Sequence, residues 1–156
     1  MRLRLLNCGA LLGHNIVLGI APTVREEQAM AKYWKETDST EVREIKGIHD
    51  GEGVIRVRSF FRNKMTTGIN MHVWELAPGA SEGNHIHEGE HDGYEETYYF
   101  LQGRGVMWVE GEEIPIQAGD AFLVPAGVDH GFRNTGDEPL RLVLLFAMPR
   151  EEVKQV

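Results

Sequence analysis

The sequence predicts an all-β domain that folds as a sandwich or barrel. Short stretches of alternating apolar and polar residues recur from residue 54 to residue 148, and turn residues such as Gly, Pro, Asn and Asp separate most of them. Almost no segment has a helical pattern, and no internal repeat is visible. The predicted strands are Val54–Phe61, Gly68–Leu76, His85–His87, Thr97–Leu101, Gly105–Val109, Glu112–Ile116, Ala121–Val124, His130–Asn134 and Leu140–Met148.

The first part of the chain is predicted to be an extension, residues 1–41, that precedes a β domain formed by residues 42–156. Thr23–Tyr33 is the one stretch typical of a helix, because Thr23 can cap it and Glu26 follows three residues later. The apolar run Leu5–Ile20 faintly resembles a secretory signal. Polar residues interrupt it, however, and it is too short to span a bilayer.

The composition and net charge limit the kinds of molecule that the protein is expected to bind. The chain has 156 residues and a net charge of −8, and no local basic patch is visible. Nucleic acid and anionic membranes are therefore not expected partners. Cys8 is the only cysteine, so no intramolecular disulfide can form, and a cytoplasmic, reducing location is expected.

Two blocks of the sequence carry groups that could hold a metal ion. His85, His87 and Glu96 lie in the first block, and His130 lies in the second. Three imidazoles and one carboxylate suit a divalent Mn, Fe, Co, Ni, Cu or Zn ion, and the residue types do not choose among these metals. An octahedral ion would keep two adjacent positions for water or for a bidentate ligand such as a hydroxy acid, keto acid or diol.

Strand alternation predicts which side chains share a face. Two strands each present a mixture of polar and aromatic residues on one face: Glu96, Tyr98 and Phe100 on the first, and His130, Phe132 and Asn134 on the second. Such an interior is typical of a barrel that holds a ligand. A simple packed core would not contain these polar groups, because burying them unpaired costs several kcal/mol.

The two blocks resemble the paired motifs of the cupin superfamily, whose fold is a double-stranded β-helix, or jelly-roll barrel. The resemblance covers roughly residues 54–148 and implies that the metal ligands are His85, His87, Glu96 and His130. In the first motif the spacer between His87 and Glu96 contains eight residues and is longer than is usual in the family. The matching positions are Gly79, His85, His87, Glu96 and Gly103 in the first motif, and Gly119, Pro125, Gly127, His130 and Asn134 in the second.

The long spacer leaves the choice of carboxylate ligand open. Counting back from Gly103 selects Glu96, whereas counting forward from His87 selects His91 or Asp92. Strand alternation favours Glu96, with His91 as an alternative or additional ligand. The intervening acidic loop, residues 88–92, is expected to be solvated, although its glycine would also permit movement as a lid.

Other residues are candidates for proton transfer or substrate binding. Tyr98 and His72 are possible acid/base groups. Arg56 and Arg58 share a strand face and could clamp a carboxylate or phosphate. The aromatic candidates for the pocket wall are Phe100 and Phe132, whereas His49 is interpreted as an ordinary loop residue.

Together these observations favour a mononuclear metalloenzyme that acts on a small oxygen-rich metabolite, such as a sugar, a sugar phosphate, or a hydroxy or keto acid. Isomerisation, epimerisation and decarboxylation are the favoured reactions. An Fe or Cu site would instead favour a dioxygenase, and a non-catalytic small-molecule sensor is the third hypothesis. The cupin resemblance also implies a homodimer.

Overall fold

The all-β prediction is confirmed by a computed structural model, which describes residues 32–38 and 41–149. All the strands belong to the compact unit formed by residues 35–156. The predicted helix at Thr23–Tyr33 lies almost entirely outside the described residues. Within the described ranges there are ten strands: β1 (Arg43–Lys46), β2 (Val54–Phe60), β3 (Asn70–Leu76), β4 (Ser81–His85), β5 (Glu95–Gln102), β6 (Arg104–Val109), β7 (Glu112–Gln117), β8 (Ala121–Val124), β9 (His130–Asn134) and β10 (Leu140–Ala147).

The strands form two antiparallel sheets that fit a jelly-roll barrel. Their order is β1-β2-β3-β10-β5-β8 in one sheet and β4-β9-β6-β7 in the other. A short 3-10 helix, Ile48–Asp50, connects β1 to the segment before β2. Among the described residues, no helix is long and apolar enough to cross a membrane.

Most predicted strands have nearly the observed bounds, and two regions differ. The strand predicted at His85–His87 is wrong, because β4 spans Ser81–His85 and His87 lies beyond it. Strand β1 was not predicted from the sequence. Both strands are short and rich in polar residues, so they lack the alternation on which the prediction depends.

The core lies between the two sheets. On β5, Tyr98 and Phe100 are fully buried whereas the alternate residue Tyr99 is about half exposed, as alternation predicts. Four aromatic side chains form one packed group in this core, in which Phe132 contacts Trp74, Tyr98 and Phe100. The aliphatic members of the same core include Ile55, Val57, Leu76, Met107, Ile116, Val124, Leu140, Leu142 and Leu144.

Asn134, a residue of the second motif, holds the turn before β4 in place through hydrogen bonds. Asn134 is completely buried, and its amide nitrogen donates to the carbonyl oxygens of Leu76 and Glu138. The backbone N–H of Gly79 donates to the carbonyl oxygen of Asn134, and Gly79 has a positive φ of 80° that suits glycine. These motif residues therefore position the strand that carries His85.

Candidate metal centre

Four polar side chains converge between the two sheets. The metal-binding atoms of His85, His87, Glu96 and His130 all lie within 4.8 Å of one another. His85 and His130 are paired across β4 and β9 in the four-stranded sheet, and Glu96 stands on β5 of the other sheet. His87 lies on the loop after β4, and its carbonyl oxygen accepts a hydrogen bond from the N–H of Gly127.

Hydrogen bonds to the outer ring nitrogens orient the three imidazoles. The Nδ1–H of His85 donates to the carbonyl oxygen of Gly83 at 3.0 Å, and that of His130 donates to Val128 at 2.9 Å. His87 donates its Nδ1–H to the carboxylate of Asp92 at 3.2 Å. In the neutral imidazoles, each Nε2 therefore presents a lone pair to the interior, which is the arrangement that a metal ligand requires.

Two features of this group fit a divalent cation: the distance between its ring nitrogens and its excess of hydrogen-bond acceptors over donors. The Nε2 atoms of His85 and His87 are 3.1 Å apart. Two nitrogen ligands at right angles, each about 2.1 Å from an ion, would be about 3.0 Å apart. When its imidazoles are neutral, the cluster offers three ring-nitrogen lone pairs and a carboxylate, and the nearby hydroxyl of Tyr98 donates to Glu96. This surplus of acceptors fits a bound cation.

The electrostatics of Glu96 and His130 are coupled. Burial would raise the pKa of Glu96, but hydrogen bonds from His130 and Tyr98 outweigh it and leave that pKa below its ordinary value. Burial would lower the pKa of His130, but the Glu96 carboxylate 2.9 Å from its Nε2 raises it overall. The carboxylate is therefore ionised without a metal, and a cation must compete with a proton for His130.

Tyr98 lies directly beside the clustered atoms of Glu96 and His130. It is completely buried, its hydroxyl donates to Glu96, and its oxygen is 3.0 Å from Nε2 of His130. Burial, followed by the nearby carboxylates, raises its pKa, so the hydroxyl keeps its proton. In this geometry Tyr98 holds the Glu96 carboxylate in place.

The other sequence-predicted residues do not all come to the cluster. Arg56 pairs with Glu75 at 2.8 Å on the face of β2 opposite the core residues Ile55 and Val57, and Arg58 shares that outer face. His91 is exposed on the acidic loop and is not one of the clustered groups. Phe100 and Phe132 lie in the packed core.

His72 faces the same side of β3 as the core residue Trp74. Its Nδ1 accepts a hydrogen bond from the indole N–H of Trp74, and its ring packs edge-on against Phe146. Burial, followed by the charges of Arg43 and Arg62, lowers the pKa of His72 to about 4, whereas Glu96 acts in the opposite direction. His72 is thus neutral near pH 7.

This shift predicts a pH-dependent stability difference between the wild type and His72→Gln. The unfolded His72 takes up a proton below its ordinary pKa of 6.5, whereas the folded one does so only near 4. The contribution of His72 is therefore fully present above pH 6.5 and is lost as the pH falls towards 4. Urea unfolding of the metal-free proteins should show His72→Gln gaining stability relative to the wild type over this range. The exposed His91→Gln provides the control, and a difference that stays constant with pH would contradict the prediction.

Two residues of the site were not predicted from the sequence. The ring of His49, in the 3-10 helix, stacks on the ring of His85 with centroids 3.6 Å apart. Glu82, on β4, is almost completely buried, and its Oε1 is 3.7 Å from Nε2 of His49. Burial, followed by the charge of Glu96, raises the pKa of Glu82, and a cation held by the neighbouring ligands would act in the opposite direction.

Comparisons with known proteins show what the chain is similar to. Residues 72–146, which contain all four clustered residues, match the family model described as a cupin domain. This part of the chain is thus similar to cupin domains. A solved structure from Thermotoga maritima, described as a predicted oxalate decarboxylase, superposes with a TM-score of 0.64 at 29% identity and covers 69% of this chain and 92% of that chain.

Curated relatives are similar over shorter stretches. An oxalate-binding protein of Thermotoga maritima is 39% identical over 74 residues, which cover 47% of this chain and 58% of that protein. A quercetin 2,3-dioxygenase of Bacillus subtilis is 29% identical over 111 residues, which cover 64% of this chain and 33% of that enzyme. The chain thus spans little more than half of the first protein and a third of the second.

Proposed function

We propose that this protein is a mononuclear divalent-metal cupin enzyme that acts on a small oxygen-rich metabolite by isomerisation, epimerisation or decarboxylation. The observation that carries the proposal is the convergence of His85, His87, Glu96 and His130 within 4.8 Å. These four side chains would hold the cation. When bound, it would act as a Lewis acid on the oxygens of a bidentate ligand.

The residues around the cluster support this role. The hydrogen bonds at Nδ1 of His85 and His130 leave Nε2 of each ring facing the cluster, which is the nitrogen that would bind metal. Tyr98 orients Glu96 from a fully buried position, where its raised pKa keeps it a donor. Because the protein already holds these groups in place, they need little rearrangement during the reaction.

Elemental analysis of protein purified without chelator, followed by activity assays, tests the proposal. We expect about one divalent ion per chain. We also expect turnover of a hydroxy acid, keto acid or sugar phosphate that falls at least about a hundredfold in Glu96→Gln, because loss of a partner that merely orients a metal ligand already costs 10–100-fold. Glu95→Gln is the matched control, since Glu95 is exposed on the adjacent position of β5.

Other outcomes would favour the remaining hypotheses. Wild-type protein with a metal content far below one ion per chain would contradict the proposal. Oxygen consumption with an aromatic or keto substrate would favour a dioxygenase, a class supported by the similarity to quercetin 2,3-dioxygenase. Tight binding of the tested acids without turnover would favour a binding protein, a class supported by the similarity to the oxalate-binding protein.

A further inference from the structure

The strongest unexplained feature of the site is the carboxylate of Glu82. Its side chain is 3% exposed, and its Oε2 has no hydrogen-bond partner among the described residues. Glu82 is the cross-strand partner of Phe132, so its side chain shares the inward face of the barrel with that core residue. A buried carboxylate oxygen without a partner costs free energy, so the structure calls for a donor that the protein does not supply.

None of the neighbouring groups can satisfy this carboxylate. Nε2 of His49 and Nε2 of His85 lie 3.7 and 4.0 Å from Oε1, which is too far for a hydrogen bond. The proton of neutral His85 is already donated from Nδ1 to Gly83. The hydroxyl of Tyr98 donates to Glu96. Among the described residues, therefore, no group donates a hydrogen bond to the free oxygen.

The backbone holds Glu82 in this position. The pairing of β4 with β9 is irregular between Glu82 and His85, and this irregularity lets both side chains face the interior although they are three residues apart. The segment before β2 is tied to β4 by the N–H of Ser81, which donates to the carbonyl oxygen of Glu52. A side chain at Gly83 would overlap the carbonyl oxygen of His49. Glu82 is therefore fixed beside the ligand nitrogen of His85.

We propose that Glu82 accepts a hydrogen bond from the O–H group of a ligand held at the metal centre, so that the site selects a 2-hydroxy acid over a dicarboxylate such as oxalate. This inference rests on the proposed function, because the ligand must bind through the four metal ligands. A hydroxyl supplies the donor that the free oxygen of Glu82 lacks. With a cation at the neighbouring residues favouring the ionised form of Glu82, a second carboxylate supplies only acceptors and places negative charge against Glu82.

The distribution of basic residues supports this selectivity. The one Arg or Lys side chain that is buried among the described residues, Arg58, lies on the outer face of β2 and not in the barrel. Arg56 lies on the same outer face in an ion pair with Glu75. Neither of these guanidinium groups is therefore inside the barrel to offset the second charge of a dicarboxylate, whereas a hydroxy acid needs none.

Ligand binding to the Co²⁺-loaded protein tests the proposal without an activity assay. Isothermal titration calorimetry would compare glycolate, oxalate and methoxyacetate, which has the chelating oxygens of glycolate without the O–H. We expect the wild type to bind glycolate roughly tenfold to a hundredfold more tightly than methoxyacetate, the range for a hydrogen bond to a charged group. Glu82→Met should remove this preference and bind oxalate more tightly. Glu82→Gln, which keeps an uncharged acceptor, should retain part of it.

The controls separate this inference from the proposed function. Cobalt content should be equal in the wild type, both Glu82 variants and Glu113→Gln, a matched change at an exposed position of β7. Equal glycolate and methoxyacetate affinities in the wild type, or equal weakening of all three acids by Glu82→Met, would overturn the role of Glu82. Loss of cobalt from the Glu82 variants would also overturn it, by making Glu82 a metal ligand. A wild type that retains no cobalt would refute the proposed function itself.

Discussion

His130→Ala is expected to weaken the binding of a divalent metal at least about a hundredfold. Loss of a residue that only orients a metal ligand costs 10–100-fold, and His130 is proposed as a ligand itself. His130 is also the neighbour of both Glu96 and Tyr98, so its removal leaves a cavity beside the remaining imidazoles and takes one partner from Glu96. Competition with a chromophoric chelator would measure the dissociation constant for Zn²⁺.

The control for this experiment is His91→Ala, which removes the same side chain from an exposed position on the acidic loop. Its affinity for Zn²⁺ should match that of the wild type. The comparison also decides between the alternatives that the long spacer leaves open. If His91→Ala lost the metal as fully as His130→Ala, His91 would be a ligand and the four-residue cluster would be incomplete.

Gly83→Ala is expected to destabilise the protein by about 3 kcal/mol or more, the upper range for overpacking. An added Cβ at this position would overlap the carbonyl oxygen of His49, which is backbone and cannot rotate away. Relief of the overlap would push the 3-10 helix from β4 and separate the stacked rings of His49 and His85. Chemical denaturation would give the free energy of unfolding, and a Zn²⁺ titration would report a weaker site.

Gly136→Ala serves as the matched control. A Cβ there would meet first the side chain of Arg104, which is exposed and can move. Gly136 does not have a positive φ angle, so alanine can adopt its backbone conformation without the strain of the left-handed region. A Gly83→Ala protein as stable as Gly136→Ala would show that the contact between the 3-10 helix and β4 is loose.

Strand alternation predicted much of the interior because β5 pairs regularly with β8, and β9 pairs regularly with β6. A period of two therefore places Glu96 with Tyr98, and His130 with Phe132, on one face. The metal-ligand hypothesis likewise followed from residue types and spacing. The pairing of the two blocks in space depends on the barrel, and only the cupin resemblance predicted that.

Alternation could not reveal Glu82. Glu82 and His85 differ by an odd number of residues, so a regular strand would send them to opposite faces, and only the irregular pairing with β9 brings both inward. His49 was missed for a related reason. His49 is distant from the motifs along the chain, and it joins them because its backbone packs directly against the backbone of Gly83. The one local signal was the pair of glycines at 51 and 83, which permits close approach of two backbone segments.

Arg56 and Arg58 show the opposite case. Alternation correctly predicts that they share a face, but not which face is inward. The apolar partners Ile55 and Val57 decide this, since they enter the core and send both arginines outward. Arg56 then meets Glu75 on the neighbouring strand, a pairing that depends on the register between β2 and β3.

The four proposed ligands are not anchored alike. Three of them stand on strands whose backbones are hydrogen-bonded to neighbours, whereas His87 stands on a loop that is attached to the opposite turn through Gly127. His87 can therefore detach without breaking any ladder of a sheet. Of the side chains that would hold a cation, His87 is thus the one least fixed by the sheets, and the carboxylate of Asp92, which accepts from its outer nitrogen, would steady it.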